Sequence, residues 1–586
     1  MTEYFEVHAR DGAARIGELR LRDPVTTPTL ADDVVVDAGS LWAAARDPPE
    51  GSEETVTVLP HRGFPAGTDP TVQDSFAVDY PDVDFPSAGV VTAETAADHG
   101  CDAYVLANAP GIVGHGESFR DEVVAVREAV PHDTALYLAG VATPANVATL
   151  VAAGADLVDA KLARVKGRQG IYLTTEGEYR VDELVAEGGE LPGAFPTDPP
   201  LDEFTREDCV AHNVAALESA LSTVRTRIRR GRLRDYLEGQ ARHGNWLTAA
   251  FREFDHEYRY LEARTPVVRE AEISAASEET MDRVEIQRFA DRVTTRYRNR
   301  FSNPLVLVPC SARKPYSDSQ SHAGFHRAIN YRGHLVSMTS PIGVVPQELE
   351  CTYPAQHYDA VVTGDWTEGE KTFVAEVLRR YVERNDYPRV IAHVPGEGYR
   401  DICERVAGEV DVPFEFTVTD HPTTSASLSN LSDALAGELK YSKRERQHNT
   451  VRAIADYQFG AGAGDDLFPD LRTTSRHPKL QVRDGEGTQL AAQVPQYGVL
   501  AFTLEGARRW AGSDAPTKRV DIDSFVPHGS VLAPGVVDAS ADIRVGDEVV
   551  VEGPAAFGVG RAEMSGPEMR NSTRGVAVQV RHVEET

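Results

Sequence analysis

Cysteine and lysine are both scarce in this chain, and long apolar runs are missing. The five cysteines, at 101, 209, 310, 351 and 403, form no Cys-x2-Cys pair. That spacing argues against a disulfide framework and a thiolate zinc cluster, and suggests free thiols. No stretch supplies the ~18–20 uncharged apolar residues of a membrane helix. The opening residues MTEYFEVHARDGAARIGELRL alternate charged and apolar side chains, unlike a secretory leader. A soluble, cytoplasmic protein without a membrane partner is expected. Internal repeats and long low-complexity tracts are also missing. With 41% hydrophobic and 26% charged residues, the composition is that of an ordinary globular chain.

Of 60 basic residues only 8 are lysine, and Asp plus Glu number 91, giving a net charge of −31. Taken alone, −31 argues against nucleic acid, whose phosphates attract cations. In concentrated salt, however, the Debye length falls to ~3 Å at 1 M, so self-repulsion is screened. An acidic, lysine-poor surface then stays soluble, as in halophiles. The total charge thus reads as habitat, and RNA must be sought in local arginine clusters.

The 586 residues give about four domains at ~150 residues each. The fold class is α/β multidomain. Over 1–270, short apolar runs (Val34–Val36, Tyr104–Leu106, Leu136–Leu138) lie among Ala-rich helical stretches. A predicted helix over 143–155 begins at Thr-Pro and stops at Gly154; a short strand, Asp156–Asp159, follows. That is the grammar of repeated βα units. A later helix places Leu217, Leu221, Val224 and Ile228 on one face and carries Arg225, Arg227, Arg229, Arg230 and Arg232 around it. Such a stripe suits a phosphate track, or pairs with Glu218, Asp235 and Glu238.

A second α/β unit, over 285–435, starts at Leu305–Val308, an apolar run suited to a buried parallel strand. Asp359–Thr363 and Arg389–Val394 read as similar strands, with an amphipathic helix over 370–385 between them. Their following loops would meet at the carboxyl ends of one sheet, where ligands bind. The densest chemistry follows the first strand. Residues 309–322 hold a thiol (Cys310), an ammonium (Lys314), a phenol (Tyr316), hydroxyls including Ser319, and an imidazole (His322). A cationic neighbour raises a cysteine's thiolate fraction, and Arg313, Lys314 and His322 are the cations at hand. The alternative is a polar loop around a buried thiol. Asp365, His393 and Glu397 are second candidates near the same sheet end. Residues 436–515 read as a mixed α+β segment, and 516–586 as short strands separated by glycine turns.

The pattern Pro-Cys-x3-Lys-Pro-Tyr-x2-Ser-x2-His, met by Pro309, Cys310, Lys314, Pro315, Tyr316, Ser319 and His322, resembles the signature of the archaeosine synthase family. That family is similar to archaeal tRNA-guanine transglycosylase. The resemblance implies a degenerate TIM-barrel-like transglycosylase domain (1–270), a central α/β parallel-sheet core (285–435), a small α+β segment (436–515) and a C-terminal β-barrel PUA domain (516–586). Phe5–Val7, Arg15–Leu19, Gly170–Thr174 and His212-Asn213 also resemble the transglycosylase, and Asp159 takes the position of its nucleophilic aspartate. The exchange pocket is not matched: no Asp-Ser-Gly-x-x-Gln and no Gly-Gly-x-x-x-Gly-Glu segment occurs. Gly193, Phe195 and Asp198 stand where the parent family has zinc-binding cysteines, leaving His212 with Cys209. Two ligands cannot close a tetrahedral site, so neither metal nor cofactor is expected. Asp159 then reads as a relic or a tRNA contact.

For the PUA-like end, Arg561, Arg574 and Arg581 are the phosphate-contact candidates, positioning RNA without reading sequence. The resemblance implies a tRNA substrate carrying 7-cyano-7-deazaguanine in the D-loop, at position 15, whose nitrile takes up an amine. The donor it implies is free lysine or, in an older view, glutamine. A radical SAM lyase partner would complete archaeosine, and a homodimer is compatible with it. Cys310 attack on the nitrile and direct amine attack are both open. So are two other readings: a non-catalytic tRNA-binding subunit, and a true transglycosylase.

Overall fold

In the computed structural model, residues 3–586 are described apart from Pro48, Ala66, His99, residues 361–364 and Glu397. The chain folds as two compact units. The first comprises residues 1–266 with Leu532–Val536 and Met564–Ala577. Its short apolar runs build a seven-stranded sheet in the order Val35–Asp37, Val56–Val58, Ser87–Val91, Ala103–Leu106, Ala135–Leu138, Leu157–Val158, Thr29–Leu30. All of its pairings are parallel.

Six successive strands lie side by side in chain order, as in a singly wound βα barrel. Geometry forces the sheet to curl. Its two edge strands are joined by residues 31–34, a reach of about 18 Å. Seven strands laid flat would hold those edges about 29 Å apart. The period-two alternation follows the curl. Val56, Val58, Ala103, Val105, Ala135, Tyr137 and Leu157 form an inner cluster with Phe5 and Leu19 from the N-terminal antiparallel sheet. Tyr104, Leu106, Leu136, Leu138 and Val158 face an outer layer with residues of helices Gly116–Ala129, Val147–Ala153 and Arg206–Arg229. The predicted helix stop is confirmed: Gly154, at φ 121°, ends Val147–Ala153 in a conformation that suits glycine.

One buried ion pair ties this half-barrel to its N-terminal hairpin. Arg15 donates to Asp156 and, at 2.6 and 2.8 Å, to the carbonyls of His132 and Thr134; Asp156 also accepts from Leu136 N at 2.8 Å.

The second unit is built on a five-stranded sheet, ordered Gly343–Pro346, His334–Thr339, Leu305–Pro309, Val390–Ala392, Phe414–Phe416. Only the edge hairpin is antiparallel. Leu305 and Leu307 pack with Val374, Val377, Ile402 and Cys403 on one face. Val306 and Val308 pack with Phe325, Ile329 and Leu431 on the other. From Pro309 the chain passes through helix Gln320–Ile329 to His334–Thr339. From Ala392 it passes through helix Tyr399–Ala407 to Phe414–Phe416, on the opposite side. The carboxyl ends of two neighbouring strands thus diverge, which opens a crevice at a topological switch point.

One predicted strand is placed differently. Tyr358–Ala360 pairs with Ile273–Ala275 in a separate two-stranded sheet, and residues 361–364 lie outside the described residues. Apolar content alone marks a strand; its partner is chosen by distant residues that a local run does not encode. The rest of the unit carries helix Lys443–Phe459, an antiparallel sheet of four strands between Arg472 and Phe502, and most of a six-stranded sheet between Arg519 and Glu585. Among the described residues no helix is long and apolar enough to cross a membrane.

Replacing Asp156 by Ala leaves Arg15 buried without its counter-charge. The expected cost is about 3–5 kcal/mol in a chemical-denaturation measurement of the first unit's transition.

Candidate functional site

Cys310 follows Pro309 at the end of the central strand, with its N–H donating to Met338 O at 3.1 Å. Its Sγ lies 3.4 Å from the Tyr399 hydroxyl. Tyr399 opens the helix after Val390–Ala392, so this contact bridges the two diverging strand ends. It borders a cleft of about 240 Å³ that Thr339, Ser340, Trp366, Glu278, Asp365 and Glu370 help to line. Trp366 and Tyr399 form an aromatic wall, their ring centroids 4.5 Å apart. Burial, and then Cys310, push the Tyr399 phenol far up, so it keeps its proton. Glu370 is held in place by a capping box with Thr367 and by the Ser340 hydroxyl.

The predicted loop divides into residues that border the cleft and residues that hold the loop. Lys314 is half-buried, its Nζ 3.8 Å from the Tyr358 ring centre. Burial lowers its pKa against the pull of Cys310, Asp359 and Glu272. The Tyr316 hydroxyl is buried and meets Tyr358 OH at 2.7 Å, which meets Thr339 Oγ1 at 2.8 Å. A chain of hydroxyls therefore runs from Tyr316 to the cleft wall. Ser319 caps helix Gln320–Ile329 by accepting from His322 N. His322 is 1% exposed and stacks on Tyr316; Nε2 donates to Pro309 O at 3.1 Å. Burial drops its pKa to about 4, with His326 adding to the shift. It is therefore a neutral imidazole that fastens the loop to the strand.

His393 does not reach the cleft. It is fully buried, donating from Nε2 to Pro422 O at 2.7 Å, with Nδ1 2.8 Å from Thr417 Oγ1. Glu397 lies outside the described residues. Sequence reasoning missed Glu278, Ser340 and Glu370, and it passed over Tyr399 as a separate candidate. Signals existed for two of them: Thr367-x-x-Glu370 is a capping box, and Tyr399 follows a glycine after an apolar strand.

Asp159 belongs to the first unit, beside a second cavity of about 430 Å³ that Asp32, Asp37, His61, Tyr137 and Lys161 also line. The carboxylate is 1% exposed and accepts from Tyr137 OH at 2.7 Å, Gly140 N at 3.0 Å and Lys161 N at 3.1 Å. Its lone pairs are already committed. Phe195, Asp198 and His212 form a hydrogen-bonded staple. Asp198 Oδ2 lies 2.7 Å from both Phe195 N and His212 Nδ1, and the His212 ring stacks on Tyr172.

The arginine candidates do not form one free stripe. Arg225 is half-buried and donates to Pro28 O at 2.7 Å, and Arg232 pairs with Asp235 at 2.8 Å, whereas Arg229 is exposed. Arg561 stacks over Tyr497, Arg581 pairs with Glu548, and Arg574 has a buried Nε without an acceptor among the described residues.

Four family models match separate stretches of the chain. Residues 90–190 match the queuine tRNA-ribosyltransferase model. Residues 449–516 match the patch-forming domain C2 of tRNA-guanine transglycosylase, and 522–583 match the PUA domain. Residues 286–435, which hold the cleft loop, match a domain of unknown function, DUF5591. The chain is 66% identical over 588 residues to the archaeosine synthase of Haloferax volcanii, spanning all of both chains. It is 40% identical over 632 residues to archaeosine synthase subunit alpha of Methanosarcina acetivorans, again at full coverage. The tRNA-guanine(15) transglycosylase of Methanobrevibacter smithii is 26% identical across 77% of this chain and 67% of its own. A transglycosylase-like half-barrel, its patch-forming domain and a PUA module define a tRNA-modification enzyme. Within that class, the full-length identities show that the chain belongs to the archaeosine synthase family.

The depressed His322 pKa couples stability to pH. The unfolded chain takes up a proton near 6.5 and the folded chain only near 4. Stability therefore falls as pH drops through that window, by about 3 kcal/mol from this group. His322→Asn is expected to flatten the dependence by that amount when urea unfolding is compared at pH 7 and pH 4.

Proposed function

We propose that the chain adds an amine to the nitrile of 7-cyano-7-deazaguanine at position 15 in the D-loop of tRNA. The product is an amidine-linked adduct that a radical SAM partner then converts to archaeosine. The observation that carries this reading is the pairing of Cys310 Sγ with the Tyr399 hydroxyl, 3.4 Å apart beside an open cleft at the strand switch point.

A nitrile is a modest electrophile, and charge develops on its nitrogen as a nucleophile adds. In this mechanism the Cys310 thiolate forms a C–S bond at the nitrile carbon, and the nitrogen takes a proton from Tyr399. The result is a covalent thioimidate. The incoming amine adds to the same carbon, the C–S bond breaks, and the thiolate leaves. Free lysine is the donor favoured, since its ammonium suits a cleft lined by Glu278, Asp365 and Glu370. An amine of pKa ~10.4 must lose its proton before it attacks, and those carboxylates are the acceptors at hand. Lys314 lends positive charge near Cys310. The hydroxyl chain of Tyr316, Tyr358 and Thr339 offers a route to return the proton. Asp159, with its hydrogen bonds filled, contributes to holding the first unit rather than to base exchange. The PUA module and the exposed Arg229 supply contacts to the tRNA backbone.

The test is nucleoside mass analysis after incubating the purified chain with nitrile-bearing tRNA and either free lysine or glutamine. A mass gain matching the lysine adduct is expected. Cys310→Ser should abolish it, and Tyr399→Phe should slow it about 10²-fold, the scale of a lost proton donor. Near-normal turnover by Cys310→Ser eliminates the covalent route in favour of direct amine attack. No mass gain with any donor leaves a tRNA-binding subunit. Incorporation of labelled 7-cyano-7-deazaguanine into unmodified tRNA would instead mark a transglycosylase.

A further inference from the structure

Glu350, Cys351 and His477 lie outside the cleft and outside the ancestral zinc positions, and nothing in the proposed reaction uses them. Each offers a ligand atom, and the three atoms lie within 4.8 Å of one another. We propose that these three side chains bind a single divalent cation of the zinc class, which anchors the loop bearing Cys310 from behind.

The charge count supports a cation. Glu350 is 9% exposed and Cys351 1%. Glu350 accepts from Ser317 N at 2.9 Å, and among the described residues no cationic side chain forms an ion pair with it. Arg446 lends a positive field to Glu350 and His477, but its guanidinium lies over the Tyr331 ring. A buried carboxylate is ordinarily paired or metal-bound. One thiolate and one carboxylate neutralise a divalent ion, and neutral imidazole supplies the third ligand. Sulfur, nitrogen and oxygen donors together suit zinc, which takes thiolate, imidazole and carboxylate at tetrahedral positions. Binding expels the Cys351 thiol proton, and water fills the fourth position.

The backbone around these ligands is rigidly built. Gly498, at φ +67°, approaches so closely that a Cβ there would fall 2.1 Å from the Cys351 carbonyl oxygen. Tyr353 N donates to Tyr497 O at 2.9 Å, which locks the segment after Cys351 to the same hairpin. His477 comes from the turn between strands Arg472–Thr474 and Gln481–Arg483, so the ligands come from two distant chain segments. The functional link is Glu350: its second role is to hold Ser317, inside the turn Tyr316–Asp318 of the Cys310 loop.

Full-length protein, stripped with chelator in high-salt buffer and then exposed to Zn²⁺ and desalted, is assayed by mass spectrometry of its metal. About one equivalent is expected, falling at least tenfold in Cys351→Ser and in His477→Gln. Loading with Co²⁺ instead should produce a thiolate-to-cobalt charge-transfer band, absent from Cys351→Ser. If either variant does not fold, the wild-type cobalt spectrum decides. Less than a tenth of an equivalent of zinc, no thiolate band in wild type, or equal metal retention by folded variants would each overturn the site. This readout is independent of catalysis, so failure of the proposed reaction would leave it standing.

Discussion

The divergence of the chain at the carboxyl ends of Leu305–Pro309 and Val390–Ala392 governs the chemistry of the second unit. These strands are neighbours, yet their continuations cross to opposite faces of the sheet. A crevice must open between them, because no connection can fill it. Cys310 and Tyr399 are the residues that each exit delivers to its rim, and their 3.4 Å contact is the direct result. The fully buried strand residues matter for the same reason. With apolar side chains sealed on both faces, the strand ends are fixed, and the loop that begins at Cys310 inherits that rigidity.

Around this crevice the polar residues divide the labour. His322 and Ser319 spend their hydrogen bonds on the strand end and the helix cap, while Tyr316 meets the Tyr358 hydroxyl. The groups bordering the cleft come largely from elsewhere: a turn before the sheet, the edge hairpin and the start of helix Glu368–Arg384. A sequence motif thus marks a loop whose inner half is scaffold, while its chemical partners arrive from distant segments. The two histidines near the sheet end illustrate the distinction. Both are buried and held neutral by desolvation, and both donate to a carbonyl.

In the first unit the polar groups beside the sheet are held by hydrogen bonds within that unit. Curling of the sheet is enforced by the short link between its edge strands, whatever the cavity above it does. Asp159 is tied down by a phenol and two backbone amides. Asp198 and His212 are joined by a hydrogen bond, and the His212 ring stacks on Tyr172. In both places inward-facing hydrogen bonds occupy the polar groups.

Local pattern was enough for several features. The apolar run at Leu305–Val308, the glycine stop at 154, the leucine face of the arginine helix and the cleft loop itself are all encoded within a dozen residues. Such features depend on side-chain period and backbone preference, which are properties of neighbours in sequence. The pairing of Tyr358–Ala360 with Ile273–Ala275, the burial of His393, the ion pairs that occupy Arg232 and Arg581, and the meeting of Cys310 with Tyr399 were decided only in three dimensions. Each depends on which distant segment arrives to supply a strand, a carbonyl or a counter-charge. A sequence names the groups able to react; the packing of remote segments determines which of them remain free to do so.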